Sequence, residues 1–224
     1  LQSIIDMMKP YTISYTQKEA GFKVQTNEEI LYVDVPSGLR KIIKRLSTDR
    51  VIEGKDQVVL ADTAVKLMSK THQLYSGTVK FESGKSMVLD STKAKFIQSV
   101  FKNKKIAIFY KFTAEYEAIK EVFGDSICNT LDEFCNTDKS IALQIVSGRE
   151  GISLKQAVAL VYYNIDFSAT SYWQSRDRMT TKDRLYNKVY WIFSKGGIED
   201  QIYKAVVKKK DYTLTHFKKD LLTL

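Results

Sequence analysis

Gln174, Arg176 and Arg178 follow one another at two-residue spacing in the stretch SYWQSRDRM, residues 171–179. A guanidinium held beside a phosphate-binding cleft stabilises the charge that develops in phosphoryl transfer, and its loss costs about a thousandfold or more in rate. A surface salt bridge would use the same residue types. Upstream, Ser147-Gly148-Arg149-Glu150-Gly151 follows an apolar run. Its two glycines, three apart, let a turn leave a strand tightly and present N–H groups to an anion, or they simply make the turn possible. Lys111-Phe112-Thr113 sets a cation and a hydroxyl where a strand gives way to a helix, which suits a phosphate or an ordinary helix cap.

The phosphate loop G-x-x-x-x-G-K-[ST] occurs nowhere, and Gly196-Gly197-Ile198-Glu199-Asp200 lacks the lysine and hydroxyl such a loop needs. No acidic cluster after a strand resembles a metal site, so no metal ligands are assigned. The chain is therefore not expected to hydrolyse nucleotide alone. Cys128 and Cys135, seven apart with no histidine in ligand spacing, read as reduced thiols and not as a disulfide or zinc site. His72 and His216 read as packing or surface residues.

With 224 residues, 44% of them apolar, the chain can bury a substantial core. Its apolar runs, such as Val158 to Tyr163, are far short of the roughly 20 residues a membrane span needs. A formal charge of +9, from 35 Lys and Arg against 26 Asp and Glu, favours polyanionic partners and equally fits a merely basic soluble protein. Leu1 is not a start methionine, and the chain reads as part of a longer polypeptide.

Four near-continuous apolar runs have strand length: Ile106–Tyr110, Ile141–Val146, Val158–Tyr163 and Lys188–Phe193. They alternate with helical segments, including Lys93–Phe101 after a Ser91 cap, Ala114–Phe123 after a Thr113 cap, and Ala169–Met179. Strands apolar on both faces predict an α/β fold with a parallel sheet between helices, residues 91–224, whose ligands gather at the carboxyl ends of the strands. Residues 1–90 read as a small α+β extension. It holds a short helix at Leu1–Met8, a strand at Glu29–Val35, a helix from a Ser37 cap to Leu46, a helix over Ala61–Leu74, and a hairpin around Ser83-Gly84-Lys85. The last segment, Ile198–Leu224, reads as a helix whose Lys204, Lys208, Lys209, Lys210, Lys218 and Lys219 form either a solvated face or a DNA-backbone contact.

The order of these pieces resembles the second RecA-like lobe of superfamily-two helicases, specifically Swi/Snf-like DNA translocases of phage and prophage type. The resemblance spans nearly the whole chain. KIAIFYKFTAEYEAI is similar to the family's fourth motif, IVSGREGISLKQAVALVYYNIDFSA to the fifth and SYWQSRDRM to the sixth. It implies ATP and Mg2+ held mainly by an absent N-terminal lobe, double-stranded DNA as partner, and a cytoplasmic setting. It further implies that Gly151 approaches the nucleotide, Gln174 faces it, and Arg178 is an arginine finger. Lys111, Thr113, Ser147 and Gly148 would grip one DNA strand. Residues 1–90 would be the connector and inserted region, and a terminal helix packing back on the lobe would bury Ile202, Val206 and Phe217. The sixth motif departs from the family where a second arginine is usual: Thr181 stands there, leaving Lys182, Arg184 or Arg176 to serve. The fifth carries Arg149 and Glu150 where relatives have small residues.

Two other functions fit the residues. A basic α/β module could bind nucleic acid without turnover. A nucleotide-binding transferase on a doubly wound sheet is the third, opposed by the lack of a nucleotide fingerprint or nucleophile–base pair.

Overall fold

The computed structural model describes residues 25–54, 56–148, 152–176, 178–180 and 186–221. Their elements in chain order are β1 (Gln25–Val33), α1 (Ser37–Asp49), β2 (Val51–Glu53), β3 (Val58–Leu60), α2 (Ala64–Tyr75), β4 (Thr78–Lys80), β5 (Ser86–Val88), α3 (Thr92–Val100), β6 (Ala107–Tyr110), α4 (Thr113–Phe123), β7 (Ile127–Cys128), α5 (Leu131–Asn136), β8 (Ser140–Gln144), α6 (Ile145–Gly148), β9 (Leu160–Tyr162), α7 (Ala169–Arg176), β10 (Tyr186–Ser194), α8 (Glu199–Val206) and α9 (Leu214–Leu221).

Six strands form one sheet in the order β1-β10-β9-β6-β8-β7, and every pairing in it is parallel. Successive strand residues point to opposite faces. Accordingly Ile106 and Ile108 join one hydrophobic cluster while Ala107 and Phe109 join another. A strand apolar at every position must be covered twice. Ala94 and Ile97 of α3 and Ile119 of α4 cover one face; Tyr172 of α7 with Ile202 and Val206 of α8 cover the other. This is the α/β fold with a parallel sheet between helices that the four apolar runs led one to expect.

Several boundaries differ from the sequence reading, each for a local reason. β1 starts at Gln25 and ends at Val33, pairing with β10 in register from Gln25–Tyr186 to Val33–Ser194. Its first residues are polar because an edge strand is half solvated, so alternation is visible only from Glu29 onward. β1 also ties the extension into the main sheet. β8 stops at Gln144, and Ile145–Gly148 coils into a helical turn where a longer strand was expected. α7 ends at Arg176, short of Met179. The C-terminal segment divides into α8 and α9, with Lys209 in the left-handed region between them; Ile202, Val206 and Phe217 are buried.

The expected hydroxyl caps are replaced by carboxylates or by position. Ser37 is the first residue of α1, with Pro36 before it. Ser91 stands at the cap of α3 without a capping bond, and Asp90 Oδ1 accepts the Thr92 N–H at 3.0 Å instead. Thr113 is likewise inside α4, behind Phe112.

Between β1 and α3 the chain leaves the carboxyl end of β1 and builds α1, α2 and two antiparallel hairpins, β2–β3 and β4–β5. Gly77 makes the turn after α2 possible. Its φ is +82°, and a Cβ there would lie 2.3 Å from the Asp90 carbonyl oxygen, a conformation and an approach that suit only glycine. α2 then lies over the ends of two central strands: Ser194 Oγ donates to the Tyr75 carbonyl at 2.6 Å, and Tyr163 Oη to the Ser76 carbonyl at 3.3 Å.

Candidate functional site

Lys111 and Thr113 emerge together at the carboxyl end of β6. Both line a cleft of about 210 Å³ whose other walls include Lys80 and Ser86 of the β4–β5 hairpin and Gln144 at the end of β8. Thr113 is exposed. The Lys111 ammonium is held by the Asp166 carboxylate and lies 4.1 Å from the Phe167 ring centroid. Burial opposes ionisation of Asp166, but the Lys111 charge and hydrogen bond, together with bonds from Ser171 and the Phe167 N–H, hold that carboxyl below its ordinary value.

Beneath these loops runs a buried polar chain. Glu115 accepts the Lys111 N–H at 2.7 Å and the Phe112 N–H at 3.0 Å, capping α4 from its first turn. The Asn164 amide donates to Glu115 at 2.5 Å, and Asn164 Oδ1 accepts from Ile165 N–H at 2.8 Å. His72 of α2 meets the same oxygen through Nε2 at 2.5 Å. Burial pushes the Glu115 carboxyl up and, with Lys111 nearby, holds His72 well below the usual imidazole range. His72 is thus neutral and donates from Nε2. A residue read as packing is a buried strut that fixes both the loop after β6 and the loop after β9.

Arg178 lies beyond the far end of α7. Its carbonyl accepts the Leu154 N–H at 3.0 Å, and its own N–H reaches Ser175 at 3.3 Å. This contact brings Leu154 against the stretch that follows α7. The Arg178 side chain is half-buried, and its Nε is buried without a partner among the described residues. Gln174 is exposed on α7. Because α7 has eight residues, it is about 12 Å long. Lys111 is bound to Asp166 before the helix, Arg178 follows its far end, and Arg178 is not among the residues lining the Lys111 cleft.

Arg176 is engaged elsewhere. Its guanidinium pairs with Glu28 of β1 at 3.0 Å and lies 4.8 Å and 5.7 Å from the Trp173 and Tyr172 ring centroids. Glu28 also accepts from Tyr172 Oη at 2.9 Å, Trp191 Nε1 at 2.9 Å and Tyr203 Oη at 3.3 Å. Burial, followed by the Glu28 charge, raises the pKa of both tyrosines. This carboxylate was not visible as a site residue. Its one local sign was the i, i+4 spacing of Tyr172 and Arg176.

Ser147 and Gly148 lie in α6, just past β8. Gly151, Arg149, Glu150, Asp177, Thr181, Lys182 and Arg184 fall outside the described residues. Cys128 is buried, Cys135 is exposed, and neither forms a disulfide. No described helix is long and apolar enough to cross a membrane.

The geometry is that of a RecA-like lobe, and solved structures share it. The SWI2/SNF2 ATPase core of Sulfolobus solfataricus in complex with double-stranded DNA matches with a TM-score of 0.54 at 13% identity, over 100% of this chain and 54% of that one. The SWI2/SNF2 ATPase core domain of the same organism matches with a TM-score of 0.53 at 16% identity, over 82% of this chain and 43% of that one. The C-terminal part of the Fun30 ATPase domain matches at 19% identity and a TM-score of 0.43, over 55% of this chain and 45% of that one. The chain thus spans about half the length of these structures. No family model and no curated protein matches it.

Proposed function

We propose that this chain is the second lobe of an ATP-dependent, Swi/Snf-like DNA translocase, completing an ATPase cleft whose phosphate loop and magnesium ligands belong to an N-terminal lobe. The observation that carries this is the Leu154–Arg178 contact, which joins the fifth and sixth motifs on a lobe of the SWI2/SNF2 fold. Arg178, whose buried Nε has no partner among the described residues, suits an anion such as the γ-phosphate. Gln174, exposed on α7 four residues earlier, would face the nucleotide, and Gly151 would approach it. Arg176 is a poor second finger, since Glu28 already holds it.

Lys111, Thr113, Ser147 and Gly148 would contact the backbone of duplex DNA. Closure and opening of the two lobes would alternate this grip and move the protein along the duplex. Support for DNA comes from the +9 charge and from the fold shared with a core solved on double-stranded DNA. The phage or prophage type rests on the sequence resemblance alone.

The test is Arg178→Ala in the polypeptide that carries both lobes. DNA-stimulated ATP turnover should fall about a thousandfold, with DNA affinity largely kept. Near wild-type turnover would overturn the finger assignment. If turnover is absent from the wild-type polypeptide while salt-sensitive DNA binding persists, the chain is a binding module and not half of a motor.

A further inference from the structure

Glu28 gathers four donors from three different elements onto one carboxylate. Tyr172 and Arg176 come from α7, Trp191 from β10 and Tyr203 from α8. The Glu28 and Arg176 side chains are only 13% and 16% exposed, so these contacts are sheltered from competing water.

The geometry has a directional consequence for α7. Residues four apart share one helix face, whereas a residue midway between them is turned about 200° away. With Tyr172 and Arg176 both fastened to Glu28, rotation of α7 about its axis is fixed and Gln174 is directed outward, where it is exposed. Two residues past Arg176, the Arg178 carbonyl is fastened to the Leu154 N–H. The backbone of Arg178 is thus set by two attachments: Glu28 through Arg176 on one side and Leu154 on the other.

Building on the two-lobed reading above, we propose that Glu28 is a positioning residue for Gln174 and Arg178. It touches neither nucleotide nor DNA. It holds the helix that presents the amide and the guanidinium at one rotation, so that the finger meets the γ-phosphate without a search over helix orientations. Arg176 then acts as the grip for this carboxylate, a role distinct from a second finger.

The experiment compares wild type, Glu28→Gln, Tyr172→Phe and Arg178→Ala in the two-lobed polypeptide, measuring kcat, KM for ATP, DNA affinity and thermal unfolding. In Glu28→Gln, kcat should drop roughly ten- to a hundredfold, as expected when a reacting group is displaced by about an ångström. KM for ATP and DNA affinity should stay within about twofold, because in the two-lobed reading most nucleotide-binding groups lie on the N-terminal lobe and the DNA contacts lie on other loops. Tyr172→Phe keeps the ring and removes one donor; it should show the same split at a few-fold loss, and it carries the test if Glu28→Gln fails to fold. Unchanged kcat in a folded Glu28→Gln protein overturns the proposal, as does a fall in kcat matched by an equal loss of DNA affinity. If Arg178→Ala itself leaves kcat unchanged, the functional reading fails first, and the two failures are told apart.

Discussion

Where α7 begins, Asn164, Glu115 and the Lys111 and Phe112 amides satisfy one another beneath α2, while the neutral His72 Nδ1 has no partner among the described residues; past the far end of α7 the same holds for the buried Nε of a charged Arg178. An unmet guanidinium donor is costlier to bury than an unmet imidazole acceptor. The first arrangement fixes loops, and under the proposed function the second receives an incoming anion. Changes at the first should therefore appear mainly in stability and those at the second mainly in turnover.

The largest structural effect is expected at Asn164. Its side chain bonds His72, Glu115 and the Ile165 N–H, all buried. Asn164→Ala strands all three groups, and should cost about 3 kcal/mol or more. Chemical denaturation of the two proteins measures it. A cost below about 1 kcal/mol would mean that water replaces the amide and that the chain is not a closed set.

A smaller effect, dependent on acidity, comes from the same place. His72 is held well below its ordinary pKa of 6.5. Below that value the unfolded chain takes up a proton that the folded chain refuses, so stability is complete above it and falls as the solution is acidified, by at most about 1.4 kcal/mol per pH unit. Glu115 works in the opposite sense. Its carboxyl is raised above 4.5, so the folded state takes up that proton first, and acidification through this window returns stability. Melting temperatures between about pH 7.5 and 5 should show a falling limb that flattens at the acid end. His72→Gln, which preserves a donor toward Asn164, should lower the plateau and remove the limb. A limb unchanged in this variant would place the proton on another group.

How much of this was legible in the sequence follows from the range of the interactions involved. Strands β6, β8, β9 and β10 were visible because a doubly covered strand is apolar over most of its length, a local property. The helix ends were less so. α1 ends with Arg50 at φ 64° and α8 is followed by Lys209 at φ 57°; glycine is the usual signal at such positions, and its absence concealed the break before α9. The stretches that resemble a fifth and a sixth helicase motif stood out by their order, but the bond between Leu154 and Arg178 did not. Glu28 was invisible for the same reason: its donors lie 144 to 175 residues away, and a single glutamate in a polar edge strand carries no mark of them.

Lys209 gives the smallest effect and tests whether the basic turn belongs with the α7 end of the comparison. The Lys210 N–H returns to the Ala205 carbonyl at 3.2 Å, closing α8 around Lys209. A side chain in the left-handed region costs about 1 kcal/mol or somewhat more, while glycine loses a comparable amount through its greater freedom when unfolded. Lys209→Gly should therefore leave stability within about 1 kcal/mol of wild type. What it removes is an ammonium 5.4 Å from the Trp173 ring centroid, a cation placed against the helix that carries Gln174. If this turn contacts DNA, affinity should fall and the salt dependence should become shallower by about one ion. If titrations at two salt concentrations give the same DNA affinity as wild type, the lysines at 208–210 are a solvated face, and the proposed site at the end of α7 is confined to Gln174 and Arg178.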